Sequence, residues 1–261
     1  MHPLNMKLTF LGTGTSSGVP MIGCTCPVCR SLDFRDQRLR VSVHLEVAGR
    51  SLVVDTGPDF RQQMLRAHIT QLDGILFTHE HKDHTAGLDD VRAFNFRQQQ
   101  EMPVFAEPRV IEQLKREYAY VFAEHKYPGV PQVGLHPILD DQQPFDVLGL
   151  AVQPLRALHH KLPVLGFRLD GLAYLTDANF LPDSTLAQLR GCDTIVLNAL
   201  RHEPHLSHFT LGEAVAILEE LRPRRAYLTH ISHQLGRHRE VEATLPPWVR
   251  LAYDGLAVEI N

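Results

Sequence analysis

The segment 78–84 constrains the chain more than any other part of the sequence. Its sequence is Thr78-His79-Glu80-His81-Lys82-Asp83-His84. Three histidines and one aspartate, spaced His-x-His-x-Asp-His, fall within six positions directly after the apolar residues 74–77. Imidazole and carboxylate groups suit Zn²⁺, and they suit Mn²⁺ or Fe²⁺ where oxygen ligands are added. A solvated polar loop is the alternative, but this density of ligand-type side chains after a predicted strand favours a metal site.

Length and charge limit the classes of protein that the sequence allows. The 261 residues fit one large domain or two small ones, and we expect a single domain over residues 1–261. A formal net charge of −4 without a cluster of basic residues argues against a dedicated nucleic-acid surface. No apolar run is long enough to span a bilayer, and the first residues lack a signal-peptide pattern. We therefore expect a cytoplasmic protein with no membrane partner.

A second motif, Cys-x-Cys-x-x-Cys, lies near the start of the chain at Cys24, Cys26 and Cys29, whereas Cys192 stands alone. Three thiolates this close suit a tetrahedral structural metal, with Zn²⁺ as the first choice. The alternative is three free, buried cysteines. A closed zinc site in this loop, at about residues 23–30, needs a fourth ligand, which the surrounding sequence does not supply.

Three predicted strands share one pattern, in which a short apolar run is followed by threonine and then by a residue that can bind metal. These residues are His79, Asp177 and His230. If the strands run to the same edge, the three side chains converge. A further predicted strand, residues 150–158, ends in His159 and His160, either of which could add another ligand.

These residues together predict a site for two divalent metals, Zn²⁺ or Mn²⁺ with Fe²⁺ as a further alternative. The predicted ligands are His79, His81 and one of His159 and His160 for one metal, and Asp83, His84 and His230 for the other. Asp177 is predicted to bridge the metals, because each of its two oxygens can bind one cation. Asp55, which also follows a predicted strand, has two interpretations: it orients a ligand histidine, or it begins the next helix or turn.

The ordered set of motifs resembles the metallo-β-lactamase-fold hydrolases over nearly the whole chain. The resemblance is carried by Asp55, the His-x-His-x-Asp-His segment, His160, Asp177 and His230. It implies an α/β fold in four layers, an αββα sandwich with two mixed β-sheets flanked by helices. It favours His160 over His159, because the third histidine of the family usually precedes a Gly-aromatic strand, here Gly166-Phe167, at about this distance.

Within that fold, the chain looks most like the PhnP-type phosphodiesterases, which cleave a cyclic ribosyl phosphate. The segments 23–29 and 228–234 carry this resemblance. It implies that His233 is the fourth ligand of the structural zinc. The segment around His208 resembles the part of those enzymes whose histidine serves the leaving group, so His208 is the candidate general acid or phosphate contact. Asp83 and His208 are the predicted catalytic residues.

The predicted function is therefore metal-dependent hydrolysis of a small phosphodiester or cyclic phosphate by a hydroxide that bridges the two metals. His208 would protonate the departing alkoxide. The alternatives are a ribonuclease of the tRNA 3′-processing type, a thioester hydrolase, and a non-hydrolytic protein of the pyrroloquinoline-quinone biosynthesis type. The expected partner is the small phosphodiester substrate, and a homodimer is expected by analogy alone.

Overall fold

The computed structural model describes residues 5–260, which form two seven-stranded β-sheets. The strands of the first sheet are β1 (Met6–Gly12), β2 (Ser42–Val47), β3 (Arg50–Val54), β4 (Gly74–Leu76), β5 (Met102–Ala106), β6 (Val133–Pro137) and β14 (Ala257–Ile260). Those of the second are β7 (Phe145–Val147), β8 (Leu150–His159), β9 (Leu162–Leu169), β10 (Leu172–Tyr174), β11 (Thr194–Asn198), β12 (Arg225–Thr229) and β13 (Val249–Leu251).

Both sheets are mixed. The first has the order β14-β1-β2-β3-β4-β5-β6, with antiparallel pairs from β14 to β3 and parallel pairs from β3 to β6. The second has the order β13-β12-β11-β10-β9-β8-β7, with parallel pairs from β13 to β10 and antiparallel pairs from β10 to β7. Each sheet thus has a parallel half, in which the carboxyl ends of the strands lie at one edge.

The α-helices, in chain order, are α1 (Phe60–Arg66), α2 (Lys82–Thr85), α3 (Arg92–Gln98), α4 (Pro108–Glu117), α5 (Asp183–Leu189), α6 (Leu211–Leu221) and α7 (His238–Glu242). One apolar cluster, with Phe10 and Leu52 from the first sheet and Tyr174 from the second, fills the space between the sheets. A second cluster packs β11 and β12 against α6, and a third packs β4 and β5 against α1 and α4. The four-layer αββα sandwich predicted from the sequence is therefore confirmed.

One stretch with a helical sequence pattern, residues 85–99, differs from the structure, and another, residues 211–221, agrees with it. The sequence pattern predicts a single helix over residues 85–99, but the structure has the end of α2 at Thr85, a 3₁₀ turn at Leu88–Val91, and then α3. The break follows Gly87, where a Cβ atom would lie 2.3 Å from the carbonyl oxygen of Gly57. The backbone N–H of Gly87 also donates to the carbonyl of Thr56 at 2.7 Å, so a contact with the neighbouring loop takes the place of a hydrogen bond within a helix. By contrast, α6 has the predicted bounds, and a capping box between Thr210 and Glu213 fixes its start.

Strands β6 and β7 and the short helix α7 carried no periodic sequence signal, and they were not predicted. Between residues 5 and 260, no helix combines the length and the apolar character needed to cross a membrane.

Candidate metal centre

The candidate site lies where parallel strands of both sheets end. β4 leads into His79, β10 into Asp177 and β12 into His230, so the three strand ends with the shared Thr-ligand pattern do converge. The backbone turns sharply there, because Asp177 and His230 have left-handed φ angles of 54° and 56°. Asp, Asn and His are the non-glycine residues that tolerate this conformation best. The turn therefore aims both side chains across the gap between the sheets.

One group of side chains at the site consists of three imidazoles. His79, His81 and His159 each offer a ring nitrogen, and these nitrogens lie within 4.8 Å of one another. His79 is buried at the end of β4, and His81 begins the short helix α2. His159 is the last residue of β8, and its Nδ1 atom lies 2.8 Å from the carbonyl oxygen of Ser207. That contact sets the ring orientation, which leaves Nε2 facing the cluster.

The structure corrects the choice of His160 as a predicted ligand. His159 lies on the same side of β8 as the buried residues Leu155 and Ala157, so its ring points inward. His160 begins the turn to β9 with a left-handed φ of 59°, and its side chain is exposed. The spacing typical of the family pointed to His160, whose side chain the strand directs outward. The alternation along β8 was the signal that pointed to His159.

The second group is built around Asp177. An Asp177 oxygen lies 2.9 Å from Nδ1 of His230 and 3.4 Å from Nε2 of His84, and Asp83 approaches the same His84 atom at 3.4 Å. Burial alone would raise the pKa of Asp177, but the neighbouring His230 and His84 hold it well below its usual value. Asp177 therefore stays ionised, and it is shared by three groups of ligand-type side chains: with His79 and His84, with Asp83 and His230, and with His159 and His208.

Asp55 orients one of these histidines. Its carboxylate accepts a hydrogen bond from Nδ1 of His84 at 2.7 Å and is itself held by the backbone and side chain of Thr78, at 2.9 and 2.8 Å. Asp55 is fully buried and has a φ of 63°. Of its two interpretations, the structure therefore supports the one in which Asp55 holds a ligand histidine in place. Its bond to Nδ1 leaves Nε2 of His84 as the atom that faces the site.

The donor atoms of the site fit a metal ion. The Nε2 atoms of His79, His84 and His230 are buried and have no hydrogen-bond partner within residues 5–260. A buried, unpaired imidazole nitrogen is costly unless something binds it. Burial and the nearby His84 lower the pKa of His79 well below its usual value, so its ring is neutral with a free lone pair at neutral pH. Unprotonated imidazole nitrogens and ionised carboxylates suit zinc, and manganese where oxygen ligands are added, and His84 must lose a proton before it can bind either.

His208 lies beside the same site without belonging to either predicted ligand set. Its ring is 4.6 Å from the rings of both His159 and His230, and it is stacked on His205 at 5.0 Å. Its Nδ1 atom is buried without a partner among the described residues. Burial, together with nearby His230, lowers the pKa of His208 to about 2, so the ring is neutral in the substrate-free protein.

The cysteine motif forms a separate cluster with His233. The Nδ1 atom of His233 lies 3.4 Å from the sulfur of Cys24 and 3.3 Å from that of Cys26, and Cys29 completes the group. The Cys29 backbone amide and His233 lower the pKa of Cys26 to about 6, so its thiolate is present at neutral pH. The four side chains that the resemblance implied are thus brought together, in a donor set typical of a structural zinc site.

Sequence and structure comparisons agree with this geometry. Residues 50–231 match the family model described as "Beta-lactamase superfamily domain". With its two-sheet sandwich and edge site, the chain belongs to the metallo-β-lactamase-fold hydrolases. A crystal structure of a diphosphatase from the PhnP family matches it with a TM-score of 0.91 and 40% sequence identity, over 98% of each chain. Within that superfamily, the protein is a member of the PhnP family, as the two cysteine and histidine motifs predicted.

Two further comparisons are less direct. An octanoyltransferase of Porphyromonas gingivalis (strain ATCC BAA-308 / W83) is 40% identical over 258 residues, which is 98% of this chain but 52% of that protein. The chain therefore spans about half the length of this relative. The Zn²⁺-bound PqqB of Methylobacterium extorquens matches with a TM-score of 0.79, over 97% of this chain and 100% of that one. At 18% identity, that likeness concerns the fold alone.

The sequence did not point to several side chains that support the site. Asn198 is buried. Its side-chain amide accepts a hydrogen bond from the backbone N–H of Ala178 and donates one to the carbonyl of Ala178, each at 2.9 Å, which fixes the turn after Asp177. Arg109 bonds Glu80 inside the histidine motif and also the carbonyl of Pro163 on β9. These contacts join residues that are distant in sequence, so no local pattern could have predicted them.

Proposed function

We propose that the protein is a metal-dependent phosphodiesterase that hydrolyses a small phosphodiester or cyclic phosphate. One observation carries the proposal. Unpaired imidazole nitrogens of His79, His84 and His230 meet ionised Asp177 at one edge of the sandwich, and His208 lies directly beside them with an unpaired nitrogen of its own. A cationic centre with an adjacent imidazole matches the charges and the leaving oxygen of a phosphoryl group.

The proposal assigns two divalent metals, Zn²⁺ or Mn²⁺, to these residues. The ligands are His79, His81 and His159 for one metal, and Asp83, His84 and His230 for the other, with Asp177 shared. When bound, such cations supply Lewis acidity and make water a stronger nucleophile at neutral pH. Cys24, Cys26, Cys29 and His233 hold a third, structural zinc.

His208 has its role at the phosphoryl group. In the substrate-free protein its ring is neutral, because burial lowers its pKa to about 2. A neutral imidazole donates an N–H hydrogen bond to a phosphoryl oxygen. The negative charge of a bound phosphate favours the protonated ring and raises the pKa again. With the phosphate bound, the ring can take up a proton from solvent, and the protonated ring can then give that proton to the leaving oxygen.

A second candidate reaction is the hydrolysis of a diphosphate. The PhnP-family structure that is 40% identical to this chain is described as a diphosphatase. A phosphodiester and a phosphoanhydride both contain a bridging oxygen that gains negative charge as its bond to phosphorus breaks, so His208 and the same carboxylates would serve either substrate. The two reactions differ in the leaving group, which an assay can separate.

The test starts from protein purified without added metal. We expect three metals per chain, and we expect cleavage of bis(p-nitrophenyl) phosphate to exceed that of p-nitrophenyl phosphate and of a thioester. His208→Ala should lower diester cleavage by about 10²-fold or more, the usual size of a general-acid contribution. His202→Ala, a change of an exposed histidine in the same loop, is the matched control.

Full metal occupancy with neither diester nor diphosphate cleavage would overturn the proposal. Thioester cleavage alone would favour a thioester hydrolase, and bound redox-active iron without any hydrolysis would favour the cofactor-biosynthesis type of protein.

A further inference from the structure

An open cavity of about 500 Å³ lies at the mouth of the candidate metal centre. Its lining includes His81 and His159, two of the proposed ligands, and Lys161, Leu162, Leu206 and Ser207. One side of the cavity is the turn between β8 and β9, and the other is the loop before α6. A phosphate bound at the metals would therefore place its organic group in this cavity.

Hydrogen bonds fix the two sides of the cavity relative to each other. The Asn179 amide donates to the carbonyl of Leu206 at 3.1 Å and accepts from the backbone N–H of His160 at 2.7 Å. The ring of His159 also contacts the carbonyl of Ser207 at 2.8 Å. The cavity is therefore preformed, which lowers the entropic cost of binding a rigid ligand.

One of the two apolar side chains of the cavity, that of Leu206, has no structural explanation. Leu206 is 69% exposed, although it lies in a loop whose other residues near it are polar. Leu162, on the opposite side, is half-buried and packs on the core beneath. Apolar surface exposed beside a polar catalytic centre commonly marks the place where an apolar part of a ligand binds. The exposed Leu206 and the half-buried Leu162 together offer apolar surface on which a flat ring can pack.

The same cavity carries one unpaired cation. Lys161 is exposed and forms no ion pair with any residue between 5 and 260. Its charge lies at the mouth, where it favours an anionic ligand over a neutral one.

We propose that this cavity binds the organic group of the substrate, and that this group carries a planar ring of nucleobase size. The inference rests on the proposed function, and it narrows the substrate class to nucleotide-like phosphoesters. A bare cyclic ribosyl phosphate has no apolar group to cover Leu162 and Leu206.

Adenosine 5′-monophosphate (AMP) and ribose 5-phosphate are the probes, because they share the phosphate and ribose and differ only in the base. Their affinities for the protein as purified, with its metals, are measured by calorimetry. We expect AMP to bind about tenfold more tightly, which corresponds to ~1.4 kcal/mol. Burial of roughly 50–60 Å² of apolar surface would supply that difference. Inorganic phosphate should displace both probes.

Two variants separate the apolar and the electrostatic contributions to binding. Leu206→Ala should reduce the preference for AMP to about threefold, because part of the apolar contact is lost. Lys161→Gln should weaken both probes by the same factor and leave their ratio unchanged, because its charge attracts the phosphate that both probes carry and the base is neutral. Leu65→Ala on α1 is the matched control, since Leu65 is 60% exposed and does not line the cavity.

Equal affinities for AMP and ribose 5-phosphate would overturn the inference, as would AMP binding that saturating phosphate does not displace, or no AMP binding at millimolar concentration. These measurements are independent of turnover. If the protein prefers AMP through Leu206 but cleaves neither a diester nor a diphosphate, the ring-binding cavity is supported and the proposed reaction is refuted. If it cleaves a diester but binds both probes equally, the reaction is supported and the ring-binding cavity is refuted.

Discussion

The two clusters of metal-binding side chains are built differently. The histidine–aspartate centre is buried between two sheets. His84 donates a hydrogen bond to Asp55, Thr78 donates to the same carboxylate, and Asn198 fixes the turn after Asp177. The cysteine cluster lies in a partly exposed loop, where its sulfurs contact mainly His233 and one another's backbone. Its apolar support is a small group formed by Val19, Val28 and Cys29.

This difference separates the reasons for which each cluster needs metal. The protein itself shapes the histidine–aspartate centre, so a metal bound there would serve chemistry more than structure. The cysteine loop has little else to hold it against the rest of the chain, so a metal bound there would serve stability. Since His230 and His233 lie three residues apart, a metal in the loop would also fix one end of the proposed catalytic segment.

The strongest way to break the histidine–aspartate centre is Asp177→Asn. The amide keeps the shape and tolerates the left-handed backbone, but it loses the charge that two metals would share. We expect activity to fall by roughly 10³-fold, the upper range for removing one charge-stabilising group. The cysteine cluster should keep its zinc, as shown by metal analysis. Asp170→Asn, at an exposed left-handed aspartate with φ 49°, is the control.

A smaller effect is expected from Asp55→Asn, which removes the charge behind His84 and leaves every proposed ligand in place. Loss of such a supporting carboxylate typically lowers metal affinity about 10–100-fold. Competition with a chelator of known affinity measures the change. An unaltered metal affinity would show that Asp55 serves only the turn that follows β3.

Lowering the pH perturbs the histidine–aspartate centre more mildly than these substitutions. Burial opposes protonation of His84, but Asp177, Asp83 and Asp55 outweigh it and raise the pKa of His84 well above its usual 6.5. The metal-free protein therefore carries a proton there at neutral pH, which a metal must displace. The apparent affinity for metal should fall about tenfold for each unit by which the pH is lowered below the raised pKa of His84. This dependence should therefore be present above pH 6.5 as well.

Chelator titrations at several pH values measure this slope. A slope that vanishes above pH 6.5 would mean that the three carboxylates do not hold His84 charged.

The smallest effect on activity is expected at the cysteine cluster. Cys26→Ser should remove one zinc and lower the melting temperature, by about 2–4 °C for each kcal/mol lost in a chain of this size. Activity at 25 °C should decline only as the variant begins to unfold. Loss of activity in a variant that remains folded and keeps two metals would show that the loop shapes the catalytic segment directly.

Local patterns explain how much of the fold and the site could be predicted. The helix α6, the strand β12 and the His-x-His-x-Asp-His ligands are encoded by residues close in sequence, so their bounds and spacing were readable. The break after Thr85 could not be predicted, because it occurs where the loop that contains Gly57 approaches the chain.

The choice between His159 and His160 depended on which way β8 faces at its last residue. The alternation of buried residues decides this, but family spacing pointed to the neighbour. The roles of Asn179 and Asn198 depend on contacts between distant parts of the chain. Such contacts exist only once both sheets have formed.

The left-handed backbone at Asp55, Asp177 and His230 has a consequence for how this site can evolve. Each of these strand ends accepts only residues that tolerate a positive φ, and most other side chains would add roughly 1–2 kcal/mol of backbone strain to the loss of their chemistry. Among the tolerated residues, Asp and His bind metal, whereas Asn and Gly bind it weakly or not at all. A lineage that loses a ligand here therefore has very few single steps back. New specificities are expected to arise in the adjoining loops while the strand ends stay unchanged.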